Sequence, residues 1–540
     1  MRGAKSAKWV AGAVVVALAA TACGGSDSGS DKKAKGDGQV SMQISEPQHG
    51  LVPSNTYESS GSEVVSALFT GLVSFDEKNE IQLAMAESIE TEDNVSWKIT
   101  LKDGYTFHDG TKVTAESYVD AWTYAANQDN AQETNALFAK IDGYDKLSPG
   151  PDKKPTAKEL SGLKVIDEKT FEVKLNTPFS AFKSMLGFNA FFPLPKAFFE
   201  DPEAFGDKPI GNGPFKMDGK FEHNQQIKTA KYDKHPDADK IEASGVTFKI
   251  YANTDTAYKD LQAGNLDIMD TIPTAAMATA KQDLGDRYVE GTASGVGYIG
   301  LPVAYNKDFE DQKLRQAISM AIDREAINQA IYSGTRPPAD DFINPLVPGY
   351  REGACGEACK YDPKKAKALY EESGGLTNDS LEIGYNADGD HKGWITAVAN
   401  QIEKSLGIKV TAKPFEQFAA ILDALGDKKY TGAFRMGWLM DYPNAENYLR
   451  PIFSEEAIEN GSNYGGYVDE KFEKLLDEAD RAPSEEEAVK LYQQADDIIL
   501  KDLPYIPVYF YQLNAGHSEK LSEMRIGTLE HVEWDSVKLS

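Results

Sequence analysis

The alternation of apolar and polar residues predicts strands and helices that follow one another without an internal repeat. Ser96–Leu101, SWKITL, alternates with period two and predicts a strand with one buried face. Apolar residues at helical spacing behind Thr114 predict a helix over 114–127 that Thr114 caps. Further strands are predicted over 163–165, 170–175, 246–250 and 505–511, and further helices over 254–263, 314–333, 470–479 and 484–501. Interleaved elements of both kinds predict a mixed α/β and α+β fold.

Three details of this pattern lead to specific expectations. The segment 314–333 should form one long helix that stops at Gly334. Pro507 interrupts the aromatic-rich strand over 505–511, and proline donates no ladder hydrogen bond, so we predict an edge position for that strand. The segment 386–390, Asn-Ala-Asp-Gly-Asp, only partly matches a calcium loop, and we interpret it as a surface loop.

The first 23 residues differ from the rest of the chain. Three basic residues precede an apolar run over 9–20, and Thr-Ala-Cys at 21–23 closes it. This arrangement is typical of a secretory signal peptide, and small residues directly before a cysteine resemble the lipobox of bacterial lipoproteins. We therefore predict a signal peptide over 1–22, a lipid on Cys23 and a flexible tether over 23–38. An ordinary secretory leader with a chance cysteine is the alternative.

Composition and charge narrow the class of protein. With 540 residues, 41% of them hydrophobic, the chain is long enough for about three domains. The net charge of -28 is spread along the sequence, which argues against nucleic acid as a partner. The sequence contains no nucleophile elbow, metalloprotease motif, phosphate-binding loop or dinucleotide fingerprint, so we expect neither an enzyme nor a cofactor.

The remaining cysteines, Cys355 and Cys359, lie in the segment GACGEACKYD. In an oxidising compartment two cysteines this close usually form a small disulfide-closed loop, and we predict that pair. A zinc site would need four ligands, and no histidine lies nearby in the sequence, so we expect no metal.

Five segments, in this order, resemble the extracellular solute-binding proteins of peptide ABC transporters, the oligopeptide- and dipeptide-binding family. The most specific of them is AMAESIETEDNVSWKITLKDGYTFHDGTKVTAESYVDAW at 84–122. The others are GNGPFKM at 211–217, LRQAISMAIDREAI at 314–327, GWLMDYPNAENYL at 437–449 and IPVYFYQ at 506–512. The resemblance covers nearly all of the chain from about residue 40 onward.

The resemblance implies a two-lobed clamshell of the periplasmic-binding-protein type (type II, cluster C) with an additional domain on the first lobe. Carried over, the first lobe would comprise 39–69, 177–294 and 513–540, the additional domain 70–176, and the second lobe 295–512. Ligand is then expected between the lobes, where closure removes it from water.

The family binds the free α-amine of its peptide through an aspartate, which falls here on Asp441. A closed cleft with few water molecules needs a carboxylate to hold an ammonium group, so Asp441 is the residue we expect to do so. Trp438 would line the same cleft. Arg435 would meet ligand carbonyls, position Asp441 or form a structural ion pair. The resemblance leaves open a surface position for Asp441 and a core position for Trp438.

Two further family positions complete the expected site. The hydroxyl of Tyr511 would bond the ligand, with Tyr509 as the alternative exposed tyrosine. Val52, Pro53 and Ser54 belong to a loop that resembles the one against which family members lay the extended peptide.

The implied function is capture of oligopeptides at the outer face of the cell membrane and delivery to ABC permease subunits. The protein would act as a monomer, with the lipid as its only membrane contact. Two alternatives remain open. The same fold could bind an oligosaccharide, on which Trp394 and Trp438 would stack, or another small solute. It could also serve as a peptide-sensing receptor in signalling.

Overall fold

The computed structural model describes residues 38–540 except 77, 151–152 and 483. The predicted signal peptide, Cys23 and the tether up to residue 37 therefore lie outside the described residues. Within the part of the chain that is described, no helix combines the length and apolar character needed to cross a membrane.

The strands and helices are numbered in chain order. The strands are β1 Gln39–Ile44, β2 Val73–Phe75, β3 Ile81–Leu83, β4 Ala86–Thr91, β5 Ser96–Leu101, β6 Leu163–Val165, β7 Thr170–Lys174, β8 Phe215–Met217, β9 Gln226–Lys231, β10 Gly245–Ile250, β11 Ile268–Met269, β12 Tyr288–Gly300, β13 Ser380–Asn386, β14 Lys409–Phe415, β15 Ala433–Trp438, β16 Tyr505–His517, β17 Leu521–Glu523 and β18 Lys538–Leu539. The helices are α1 Ser59–Leu68, α2 Ala115–Ala126, α3 Tyr144–Leu147, α4 Phe182–Met185, α5 Pro202–Asp207, α6 Thr254–Gln262, α7 Met277–Leu284, α8 Gln312–Met320, α9 Arg324–Tyr332, α10 Pro363–Ser373, α11 Lys392–Leu406, α12 Phe418–Gly426, α13 Arg450–Phe453, α14 Ala457–Asn460, α15 Glu470–Asp480 and α16 Glu485–Asp502.

One long sheet links both halves of the fold, in the strand order β14-β13-β15-β12-β16-β11-β1-β10-β9-β8. Its two central strands, β12 and β16, are each 13 residues long and pair antiparallel. The end of β12 pairs with β15, whereas the end of β16 pairs with β11. Separate buried clusters lie to either side of these two strands. The expected mixed α/β fold with two lobes joined by crossing strands is thus confirmed.

A second, smaller sheet has the order β4-β5-β7-β6. Helix α2 covers it, with Tyr118 and Trp122 each 5.6 Å from Phe171 between ring centroids. Its buried residues belong to the same cluster as those of β1 and β10. The limits drawn above for the additional domain and the lobes remain predictions.

Several predicted elements agree with the structure and one does not. Ser96–Leu101 is a strand as predicted, and the Thr114 amide donates to the Ser117 hydroxyl over 3.2 Å at the start of α2. The prediction of a single helix over 314–333 is wrong, because α8 ends at Met320 and α9 begins at Arg324. The carboxylate of Asp323 accepts from the Ala326 amide and caps a new helix. Apolar spacing continues through this break and therefore conceals it.

The edge position predicted for residues 505–511 agrees with the structure. Among the described residues, this half of β16 pairs with β12 on one side and forms only an isolated bridge with Pro338 on the other, because β11 reaches only the last two residues of β16. Pro507 is opposite Tyr298, where the register of the two strands shifts. A residue without an amide hydrogen is tolerated at such an irregularity on the open side of a sheet. The Pro507 carbonyl instead accepts from Arg324 Nε over 2.8 Å.

The cysteine pair predicted from the sequence is bonded in the structure. Cys355 and Cys359 form a disulfide across a Cα separation of 5.6 Å. The Cys355 amide donates to the Asp340 carbonyl over 2.8 Å, and Arg324 donates to the Cys359 carbonyl over 3.0 Å. The small loop is thereby attached to the second lobe.

Candidate functional site

A cavity of about 300 Å³ lies between the two lobes, at the lower end of the size range of small-molecule sites. One wall comes from β1, α1, the turn after β11 and residues 529–531. The facing wall comes from the ends of β13 and β15, the middle of β16 and the loops that follow β13 and β15. The polar side chains that line the cavity include Gln43, Tyr57, Glu58, Glu63, Asp270, Arg336, Asn386, Asp388, Arg435, Asp441, Tyr511, Glu530 and His531.

Asp441 lies three residues beyond the end of β15 and is buried in this cavity wall. Its carboxylate accepts from Asn447 Nδ2 over 2.8 Å and from the Tyr57 hydroxyl over 3.4 Å. Burial, with a smaller contribution from Glu446, raises the pKa of Asp441 to about 7. Among the ion pairs of the described residues, none includes Asp441. The buried carboxylate therefore has neutral hydrogen-bond partners and no cation.

Trp438, the last residue of β15, lies beside this carboxylate. Its indole Nε1 donates to Asn447 Oδ1 over 3.3 Å, and its ring meets Tyr57 edge-on with 5.8 Å between ring centroids. Trp438 is 7% exposed and also belongs to a buried cluster of the second lobe. The residue therefore lines the cavity and packs in the core at the same time.

Arg435 and Tyr511 are bonded to each other at another part of the cavity wall. Arg435 donates to the Tyr511 hydroxyl over 2.8 Å and to Asn386 Oδ1 over 3.1 Å. The Arg336 guanidinium carbon lies 4.6 Å from the centroid of the Tyr511 ring. In the described part of the chain, neither arginine forms an ion pair with a carboxylate. The structural ion pair considered for Arg435 is therefore not formed, and two guanidinium groups that have no carboxylate at ion-pair distance face the cavity.

Tyr509 was the alternative to Tyr511 as the exposed tyrosine. That alternative is wrong, because Tyr509 is 2% exposed and lies outside the cavity wall. The Tyr509 ring packs against Trp394 and Tyr332, with 5.3 Å and 5.1 Å between ring centroids. Trp394 itself is fully buried, and its indole Nε1 donates to His391 Nδ1 over 3.3 Å. Trp394 therefore offers no face on which a sugar ring could stack.

Val52, Pro53 and Ser54 are buried and do not line the cavity. The Ser54 hydroxyl donates to Gln132 Oε1 over 2.9 Å, and its carbonyl accepts from the Thr134 hydroxyl over 2.7 Å. These bonds hold the loop against the segment that follows α2. Gln48, from the same loop, and Tyr57, just after it, do line the cavity.

The interpretation of 386–390 as a surface loop is wrong. Asn386 and Asp388 are 4% and 3% exposed and line the cavity. The Asn386 amide donates to Asp388 over 2.6 Å, and Asp388 accepts from the Phe418 amide over 3.0 Å. The sequence did offer one indication that this segment belongs to the site: its polar residues stand at the end of a strand.

Comparisons with known proteins agree with this architecture. The profile of the family described as "Bacterial extracellular solute-binding proteins, family 5 Middle" matches residues 80–460. The chain is 28% identical to the oligopeptide-binding protein OppA of Bacillus subtilis, over 92% of this chain and 93% of that protein. It is also 28% identical to the probable deoxycholate-binding periplasmic protein YgiS of Escherichia coli, over 86% of each chain.

Solved structures share the fold. The murein tripeptide binding protein MppA of Escherichia coli superimposes with a TM-score of 0.83 at 22% identity, over 93% of this chain and 98% of that chain. The TM-score falls to 0.64 for an unliganded open form of MppA, at the same identity and coverage. The family profile spans well over half of the sequence. This chain belongs to the bacterial extracellular solute-binding proteins of family 5.

Proposed function

We propose that this protein captures oligopeptides outside the cytoplasm, in the cavity between its lobes, and delivers them to an ABC importer. The observation that carries the proposal is the buried Asp441 carboxylate, which has neutral partners and no cation. An unpaired charge away from water is costly, and a bound ammonium group would remove that cost. The α-amine of a peptide supplies such a group.

The two arginines support the same ligand class. Arg336 and Arg435 face the cavity without a carboxylate partner, whereas Asp441 faces it without a cation. A peptide carries an ammonium group, a carboxylate and a row of carbonyls, and guanidinium groups bind both of the latter. A cavity with separated charges of both signs is therefore complementary to a zwitterionic chain.

Other solutes fit the cavity less well. An oligosaccharide has no charge to place against Asp441, and Trp394 is too deeply buried to stack on it. An anionic amphiphile such as deoxycholate could meet Arg336 and Arg435 but would be repelled by Asp441. A receptor that senses peptides for signalling would use the same cavity and would differ only in its downstream partner.

The location of the protein is part of the proposal. We infer that Cys23 carries a lipid that holds the protein, as a monomer, at the outer face of the cell membrane. The apolar run over 9–20 and the small residues before Cys23 support this inference. The test is membrane fractionation after metabolic labelling with a radioactive fatty acid. We expect the label and the membrane association to be lost in Cys23→Ala, whereas an unlabelled native protein would contradict the lipid.

The ligand class is tested by calorimetry on protein that has been unfolded and refolded to remove carried-over ligand. Tri- to pentapeptides, cellotriose, chitotriose and deoxycholate are titrated in parallel. We expect heat from the peptides alone. If a sugar or deoxycholate binds while the peptides give no heat, the fold assignment stands and the proposed peptide ligand is wrong.

A further inference from the structure

Three carboxylates line the same cavity on the wall opposite the second lobe. Glu63 lies on α1, Asp270 follows β11, and Glu530 lies in the C-terminal segment. Asp270 is close enough to interact electrostatically with both Glu63 and Glu530. We call these three residues the acidic group. Peptide capture at Asp441, as proposed above, does not require them.

Glu63 is the most deeply buried member, at 3% exposure. Its Oε2 accepts from the Val532 amide over 3.2 Å and lies 3.2 Å from His531 Nδ1. Its Oε1 is buried without a hydrogen-bond partner among the described residues. A buried carboxylate oxygen without a donor is costly, and a donor supplied by the ligand would remove this cost.

Asp270 and Glu530 are also removed from water. Burial, together with the neighbouring carboxylates, raises the pKa of each to about 7. Arg336 and His531 act on Glu530 in the opposite direction, but their effect is smaller than that of burial. The site therefore disfavours the charged form of both carboxylates, and a cation placed beside them by a ligand would stabilise that form.

The acidic group lies next to the residues that precede Asp441. The Ser294 hydroxyl accepts from the Met440 amide over 3.3 Å and donates to Glu530 Oε1 over 3.4 Å. One hydroxyl group therefore separates Glu530 from the main chain beside Asp441. A peptide whose α-amine is bound at Asp441 would bring its first side chains close to the acidic group.

We propose that Glu63, Asp270 and Glu530 form a specificity subsite that takes the basic side chain of a lysine or arginine near the N-terminus of the bound peptide. This inference rests on the proposed peptide function and adds a preference to it. The long side chain of lysine or arginine carries its charge several bonds from the main chain, so it reaches the acidic group while the α-amine stays at Asp441. A hydrogen-bonded cation would also supply the donor that Glu63 Oε1 lacks.

The test compares lysine with norleucine, which has the same linear carbon chain without the charge. Stripped protein is titrated with trialanine and with tripeptides that carry lysine or norleucine at position 1 or 2. We expect lysine at one of these positions to bind at least about tenfold more tightly than norleucine, as for a desolvated charge pair. The advantage should fall below about threefold in the variant Glu63→Gln, Asp270→Asn, Glu530→Gln, with trialanine affinity within about twofold of wild type.

Two further variants accompany the triple variant, one as a control for overall charge and one as a single substitution. Glu523→Gln changes an exposed acidic residue of β17 and should leave the lysine advantage intact, which excludes an effect of overall charge. If the triple variant fails to fold, as judged by circular dichroism, Glu530→Gln alone should reduce the advantage at least about threefold.

The outcomes separate the two proposals. Equal affinities for lysine and norleucine peptides, with trialanine still bound, would overturn the subsite and leave peptide capture standing. An undiminished lysine advantage in the folded triple variant would also overturn it. If none of the peptides binds, the proposed function is wrong and the subsite falls with it.

Discussion

Asn447 and Asp441 hold each other through two hydrogen bonds. Asn447 Nδ2 donates to the Asp441 carboxylate over 2.8 Å, and the Asp441 amide donates to Asn447 Oδ1 over 2.7 Å. The same oxygen accepts from the Trp438 indole over 3.3 Å. The carboxylate is therefore oriented before ligand arrives, which reduces the ordering cost of binding.

Replacing Asn447 with leucine keeps the side-chain size and removes these bonds. We expect affinity for a tripeptide to fall about tenfold or more, because a hydrogen bond to a charged group is worth about 1.5–3 kcal/mol. Calorimetry measures the loss. Asn444→Ala, in the same turn, removes a cap on the Glu446 amide without touching Asp441 and serves as the control. Equal losses in both variants would mean that the turn, and not the oriented carboxylate, controls binding.

Asp441→Asn should weaken peptide binding by roughly 2–5 kcal/mol, because the ligand's ammonium group loses its buried partner. At 1.4 kcal/mol per decade this is on the order of tens- to thousands-fold. Calorimetric titration with trialanine gives the ratio. Affinity within a factor of three of wild type would remove Asp441 from the site.

The stability of the ligand-free protein should change with pH in a direction set by the raised pKa of Asp441. The folded-state pKa of Asp441, about 7, lies above the ordinary 3.8, so the stability it contributes is present below pH 4 and is lost as pH rises through 7. Asp441→Asn avoids this loss and should unfold at higher temperature than wild type at pH 8 but not at pH 4. Scanning calorimetry at the two pH values measures the difference. A variant less stable than wild type at pH 8 would contradict the raised pKa.

Peptide affinity should pass through a maximum between about pH 7 and pH 8. Below this range the Asp441 carboxyl group becomes protonated, and above it the peptide's α-amine, with an ordinary pKa of about 8, loses its proton. Glu446 and Tyr57 also face Asp441: the Glu446 carboxylate raises the pKa of Asp441, and the hydrogen bond from Tyr57 lowers it. Titrations of trialanine from pH 5 to pH 9 test this expectation, and Asp441→Asn should lose the acid limb. An acid limb retained in the variant would assign it to another group.

Lys140 and Asp480 form an ion pair between the segment that follows α2 and the end of α15. Both side chains are largely buried, and Asp480 also accepts from Arg450 over 2.6 Å. Because Lys140 lies in the predicted additional domain and Asp480 in the predicted second lobe, we expect Lys140→Met to accelerate peptide dissociation about fivefold, which corresponds to about 1 kcal/mol. Stopped-flow tryptophan fluorescence measures this rate. The exposed Lys164→Met should leave the rate unchanged, and unchanged dissociation in Lys140→Met would show that the pair does not hold the lobes together.

Local sequence patterns predicted many elements of the fold but few of its interruptions. Ser96–Leu101 alternates because one face of β5 is buried, so its period was visible. The break before Arg324 was concealed because the apolar spacing runs through it. Pro507 correctly indicated an edge position, but no pattern within residues 505–511 indicates the register shift between β12 and β16 beside it.

The candidate site was likewise predicted only in part from the sequence. The family motif located Asp441, Trp438, Arg435 and Tyr511, and the structure brings these four to one cavity, although their roles stay predictions. Asn447 is six residues from Asp441 and looked like an ordinary polar residue of a turn. The acidic group comes from three distant segments of the chain, and only the folded chain brings such residues together.

The most direct test of peptide capture is a pair of calorimetric titrations of the stripped protein, with trialanine and with N-acetyl-trialanine. Acetylation removes the positive charge and leaves the rest of the peptide intact. We predict that trialanine binds and that acetylation weakens binding by on the order of a hundredfold, as expected for loss of a buried charge partner. Equal binding of the two peptides would contradict recognition of the α-amine by Asp441.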